Sequence, residues 1–262
     1  MNDYLSSSGL KRLAKGQLLG KYGTMIGAYA IHLAIILFID FSSTLLVDTT
    51  TVIGTVVFYI ITLLTGLLGG VFLYGEAYMY LKLACNQPVV VNDLFYGFGN
   101  DTDKVLKLQF LFTIVGLICG LPNLMLDQVT ANPDNPYLLL IFVVLLLITT
   151  IFNVCFSLIY SQCFYLTLDF PQYSVKELLR ASSRIMKGSK GRLFYIELSF
   201  LPLLFLGLIS CCLGYLWILP YMQAVKANFY LDLIKKQPSA SEHSETGGCA
   251  KAPESSETFT EN

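Results

Sequence analysis

Apolar residues in this chain gather into runs as long as a bilayer is thick. Residues 24–46 form one such run and residues 51–73 a second, each longer than the ~20 residues a helix needs to cross ~30 Å of hydrocarbon. The polar link around Asp48 is short, so the two predict a helical hairpin. The second helix is expected to continue through Glu76 to Ala84, until Pro88 stops it. A third run covers residues 106–124, and a fourth extends from Tyr137 towards Leu168 after a link rich in Pro and Asp. Residues 193–232 hold an apolar stretch too long for one span and barely long enough for two, turning near Cys212 to Gly214.

Between the runs the periodicity changes. In residues 8–20, Leu10, Leu13, Ala14 and Leu18 recur at helical spacing with Lys11, Arg12 and Lys15 between them, which predicts an amphipathic helix at a membrane surface. Asn92 and Asp93 are placed to cap a short aromatic segment at Leu94 to Phe98. Ser174 and Glu177 match a capping box, in which a glutamate three residues on reaches back to the cap. The helix they open puts Val175, Leu178, Leu179, Ile185 and Met186 on one face and Lys176, Arg180, Arg184 and Lys187 on the other.

Charge settles the number of spans expected. With six, all seventeen Lys and Arg fall on one side: four before the first span, three between the second and third, six between the fourth and fifth, and four from Lys226 onward. The opposite links carry Asp48, Asp127 and Asp134 and no base, so the basic side, with both termini, is expected to be cytoplasmic in a cell membrane. A five-span alternative would leave Lys235 and Lys236 outside. The expected fold class is therefore an all-α integral membrane protein of six transmembrane helices in three tandem hairpins, each preceded by a cytoplasmic surface segment. Residues 237–262, with five Glu against one Lys, predict a disordered acidic tail.

The ends of the even-numbered spans carry a shared pattern of Met or aromatic, Tyr, Leu, polar, Leu: Met79 to Leu83, Phe164 to Leu168 and Phe229 to Leu233. This divides residues 1–236 into units of about 8–86, 90–172 and 174–236. The bland alternative is that Tyr and Leu mark an interfacial belt. Four residues before each motif tyrosine stand Glu76, Ser161 and Lys226, so superposed units bring an acid, a hydroxyl and a base to one depth. The sharp expectation is a Glu76–Lys226 pair lining a cytoplasm-facing cavity, with Glu197 competing for Lys226. The alternative leaves Lys226 reaching for headgroups and Glu76 in water. His32, near the middle of the first span, is either a proton relay or a residue hydrogen-bonded to a neighbouring helix. Pro202 and Pro220 are expected to kink the last two spans.

The seven cysteines form no C-x-x-C and no Cys/His cluster, and most are read as small apolar packers. No nucleophile, base and orienting group gather at one expected depth, so no enzyme and no cofactor site are expected. A non-catalytic scaffold or regulator of a membrane protein partner is the leading expectation, with a transporter or lipid-binding protein as the alternative. The basic surface helices predict anionic headgroups as partners in either case, and no nucleic acid.

The residues Met186-Lys187-Gly188, Lys190, Leu193-Phe194, Leu198-Ser199-Phe200, Leu216-Trp217, Pro220-Tyr221 and Ala227-Asn228-Phe229-Tyr230 resemble an uncharacterised family of multi-pass membrane proteins from Gram-positive bacteria, the domain of unknown function 975. The resemblance in architecture extends over residues 1–236 and implies no activity. A more distant likeness is to the membrane region that accompanies some glycerophosphodiester phosphodiesterases, whose catalytic barrel has no room in this chain.

Overall fold

The computed structural model describes residues 4–132, 135–210 and 213–235; Cys211, Cys212 and the acidic tail lie outside the described residues. All regular structure among the described residues is helical. Helix α1 (Ser7–Leu18) leads into α2 (Tyr22–Leu46) and α3 (Val52–Ala84). A 3-10 turn (Val91–Phe95) and α4 (Tyr96–Gly99) precede α5 (Thr102–Gly120), which passes through a second 3-10 turn (Leu121–Met125) into α6 (Leu126–Ala131). Then come α7 (Pro136–Tyr160), α8 (Cys163–Asp169), α9 (Val175–Ile185), α10 (Lys190–Leu198), α11 (Leu201–Ile209) and α12 (Tyr215–Ile234).

Among the described residues, five helical stretches are long and apolar enough to cross a membrane: 22–46, 52–84, 102–131, 136–169 and 190–209. The third is longer than the 106–124 expected, because Pro122 opens a 3-10 turn in which its missing N–H costs nothing and the chain stays helical. Helix α12 matches them in length but carries Lys226 and Asp232, which lower its apolar character. Pro202 falls in the first turn of α11 and separates it from α10 at Ser199–Phe200, whereas Pro220 is accommodated inside α12.

The core is at one end of the bundle. Helix α3 is buried or half-buried at every position from Gly70 to Ala84, and its neighbours there are α1, α8, α12 and the 3-10 turn before α4. The outward parts of the helices expose their apolar residues: only 6% of the most apolar window of α7–α8 is buried. That exposure suits lipid, which covers Leu and Ile as well as another helix does.

Local chemistry fixes how the elements meet. Helix α3 ends in a left-handed residue, Asn86 (φ 58°), while the Gln87 N–H donates to the Lys82 carbonyl at 2.9 Å and the Asn86 N–H to the Leu83 carbonyl at 3.0 Å. This is a Schellman stop, which ends the helix before Pro88 has any part in it. The Asp93 carboxylate accepts from the Val90 N–H at 3.0 Å and binds Lys82 at 2.8 Å, tying the aromatic segment back to α3; Asn92 has no such part. At Gly75 the Leu94 backbone lies so close that a Cβ would stand 1.9 Å from its carbonyl oxygen. Gly66 and Gly70, four apart, admit Thr113 and Gln109 of α5 against the α3 backbone in the same way.

The surface helices differ from expectation in what they cover. The apolar face of α1 does not lie free: Leu10, Ala14 and Leu18 are fully buried, while Leu13 is exposed. Helix α1 packs on α12 and α3, with the Gln17 amide donating to the Ala84 carbonyl and accepting from Asn228. Arg192 completes this end. It binds Asp232 at 2.5 Å, donates to the Leu5 carbonyl at 2.6 Å and stacks over Tyr4 and Phe229. Helix α9 begins as expected, with the Ser174 N–H and hydroxyl both donating to the Glu177 carboxylate at 2.8 Å, and Leu178, Ile185 and Met186 are buried. Of the cysteines, Cys163 is a buried packer, Cys119 is half-buried and Cys155 is exposed.

Two predictions follow from this packing. Gly75→Ala must push the Leu94 backbone aside, and overpacking of that kind costs about 1–3 kcal/mol. Gly116→Ala meets nothing within 4 Å in the interior of α5 and gains up to about 1 kcal/mol of helix propensity. Thermal unfolding of the purified variants is expected to move in opposite directions.

The hydrogen bonds from Ser174 hold the Glu177 carboxyl below its ordinary range. The stabilisation is complete above the pKa of an unfolded glutamate and is lost as pH falls through the lower value of the folded chain. Amide hydrogen exchange in the first turn of α9 is expected to accelerate on acidification below about pH 4, and this pH dependence should be much reduced in Glu177→Gln.

Candidate polar cavity

A cavity of about 350 Å³ lies at the packed end of the bundle, between α7–α8 on one side and α12 on the other, with α3 and α5 as its remaining walls. The main packing partners of α7 are α5, α9 and the 3-10 turn at Leu121–Met125, and those of α12 are α1, α2, α3 and α11. The space between them is lined by Glu76, Ser161 and Lys226, the three positions that superposing the repeat units brings together. Each stands the same number of residues before the end of its helical stretch, at Ala84, Asp169 and Ile234, or about 12 Å at 1.5 Å per residue.

The pairing inside the cluster differs from the sharp expectation. Glu76 and Lys226 make no ion pair with each other. Glu76 is buried, and its Oε1 lies 2.7 Å from Nδ1 of His32 on α2. Lys226 instead takes the competing partner, Glu197 on α10, with Nζ 2.9 Å from Oε1 and both side chains about a quarter exposed. A carboxylate this deeply buried needs a donor, and α2, which packs along α3, supplies a ring nitrogen able to act as one. His32 is thus joined to a neighbouring helix, and its ring also stacks on Phe72 at 5.1 Å. Ser161 donates to the Leu158 carbonyl and accepts from the Gln162 amide, in the short interruption between α7 and α8.

The motif tyrosines stand beside this cluster. Tyr80, Tyr165 and Tyr230 are all buried; Tyr165 stacks on Tyr230 at 5.2 Å, and the Tyr230 hydroxyl donates to Asp169 at 2.6 Å. Tyr80 and Tyr165 both line the cavity.

Other lining residues were not singled out from the sequence. Asn153 and Ser157 extend the line of Ser161 down α7 at four-residue spacing, and Gln223 stands one turn before Lys226 on α12. Asn153, Ser157 and Gln223 make no hydrogen bond to another described residue. A polar residue every fourth position in an otherwise apolar span is the signal that marks this stripe. Phe112, Phe156, Tyr160 and Phe164 form the aromatic wall, with Phe112 between 5.6 and 6.3 Å from the other three rings.

The pairing carries its own test. Reversing Lys226 alone or Glu197 alone is expected to lower the folded yield modestly, since a partly exposed ion pair contributes about 1 kcal/mol or less. The exchange Lys226→Glu with Glu197→Lys should recover that yield in size-exclusion profiles. Lys226→Glu with Glu76→Lys should not, because it strips His32 of its acceptor.

No curated protein and no solved structure matches the chain. A family model does: it is described as a protein of unknown function, DUF975, and it covers residues 1–237. The match spans every described helix, including those that build the cavity, and so the chain belongs to this family of uncharacterised proteins.

Proposed function

We propose that this is a multi-pass membrane protein that holds an amphipathic ligand in a polar cavity facing the cytoplasm, in lipid handling or transport. The observation that carries the proposal is the cavity itself: a buried carboxylate, a lysine and the amide and hydroxyl groups of Asn153, Ser157 and Gln223 gathered on one space among apolar helices. Polar groups are costly in such a setting, and side chains with donors and acceptors to spare suit a ligand that pairs with them.

Six spans fit this reading, with α12 as the last. They put α1, the 3-10 turn with α4, and α9 on one side, together with every Lys and Arg, and the positive-inside rule makes that side cytoplasmic. The three units of surface segment plus hairpin then share one orientation, and the convergence of Glu76, Ser161 and Lys226 supports their descent from a repeat. Helix α3, at 33 residues, is about 50 Å long, so its packed end extends past ~30 Å of hydrocarbon. Glu76 therefore stands at headgroup level on the cytoplasmic side. The scaffold expectation ranks second, because the exposed apolar residues of α2, α5 and α7 are those that lipid itself would cover.

Ser157→Trp tests the reading. Ser157 lines the cavity yet is exposed, so the ring fills the space without entering the core. Native mass spectra after gentle extraction are expected to show a discrete bound lipid or small molecule on the unaltered protein and its loss from this variant at equal folded yield. Identical bound mass on both, or a stoichiometric second protein alone, would overturn the proposal.

A further inference from the structure

The acid and the base that line the cavity each have a partner outside its lining. His32, which holds Oε1 of Glu76, and Glu197, which holds Lys226, are both absent from the wall. The space therefore presents one carboxylate and one ammonium and no excess of either sign. Oε2 of Glu76 accepts no hydrogen bond from another described residue. Beside it stand Tyr80 and Tyr165, and the wall continues through Phe112, Phe156, Tyr160 and Phe164.

A carboxylate with a free oxygen among aromatic faces suits an organic ammonium, which gains both a charge-assisted hydrogen bond and the ring quadrupoles. Lys226, with the Gln223 amide one turn away, suits a phosphate or carboxylate oxygen. An anion without an ammonium would leave the free oxygen of Glu76 without a donor, and a cation without an anion would leave the Gln223 amide and the remaining N–H donors of Lys226 without an acceptor. From this we infer that the cavity selects a zwitterion, with its ammonium against Glu76 and the aromatic wall and its phosphate or carboxylate at Lys226.

The inference rests on reading the cavity as a ligand site. Its ~350 Å³ falls at the lower end of the ~300–1,000 Å³ range of ligand pockets, so it takes a headgroup, with any acyl chain running out past the exposed Asn153 and Ser157. A phosphoethanolamine-type lipid headgroup and a free soluble zwitterion share this chemistry.

The experiment measures binding of three probes to the full-length protein in detergent by calorimetry: lysophosphatidylethanolamine, its N-acetylated form and lysophosphatidylglycerol, all with the same acyl chain. The unaltered protein is expected to favour the first over the other two by about tenfold, the factor conferred by one interaction of ~1.4 kcal/mol. Glu76→Gln should remove that preference by weakening the ethanolamine lipid while leaving the glycerol lipid no weaker. If this variant does not fold, the N-acetylated probe poses the same question to the unaltered chain. Competition by millimolar free phosphoethanolamine would identify a headgroup-sized soluble ligand as sufficient, and its failure to compete would assign the zwitterion to lipid. Equal binding of all three probes, or a preference for the glycerol lipid, overturns the inference. Saturable binding that Ser157→Trp abolishes, but that shows no charge preference, would sink the zwitterion alone; no saturable binding of any probe would sink the cavity reading with it.

Discussion

A carboxylate buried among apolar helices has to be answered by a donor, and the answer given to Glu76 sets the arrangement of the bundle. His32 can reach it only if α2 lies along α3 in one rotation and one register, which also turns Phe72 under the imidazole ring. The opposite face of α3 is held as tightly, by the backbone of Leu94 against Gly75 and by α5 against Gly66 and Gly70. A helix fixed from both sides is the post on which α1, α8 and α12 are then stacked.

Why the packing concentrates at this end follows from the solvent. Apolar association is driven by water, and lipid supplies no such drive. In the reading adopted here, the parts of the helices that pass through hydrocarbon leave their leucines and isoleucines facing outward, while the parts that emerge into the headgroup zone meet water and close over a core. The fully buried side chains Leu10, Met79, Leu83, Leu94, Leu178 and Phe229 all belong to that emergent end. Tyr residues gather there for a related reason, since each joins an apolar ring to a hydroxyl that must find an acceptor, as Tyr230 does at Asp169.

Much of this could be read from the residues one at a time. The long runs, the extension of α3 to Ala84 and the Ser174–Glu177 start of α9 are local properties, and local properties survive folding. That Glu76, Ser161 and Lys226 line one space was legible because each stands four residues before the tyrosine of a similar short motif. What such spacing does not give is azimuth. Whether Glu76 faces Lys226 or His32 depends on the rotation of α2 about its own axis, and that is settled by many contacts at once. The fate of α1 was hidden for the same reason: Leu10, Ala14 and Leu18 form a stripe that would suit a membrane surface equally well, and only the presence of α12 decides between them. The polar stripe at Asn153, Ser157 and Ser161 was visible in principle, but a serine in an apolar helix commonly satisfies itself on its own backbone, which mutes the signal.

The clasp at the packed end has a consequence for how the protein is made. Arg192 and Asp232 hold Tyr4 and Leu5, so residues at the start of the chain are secured by two of its latest helices. Helix α1 is synthesised well before α12, its larger packing partner, so until α12 is made its buried stripe has α3 as its main cover. The order of translation puts the covering of this stripe after the making of α12, and a chain cut short before Tyr215 leaves Leu10, Ala14 and Leu18 without that cover.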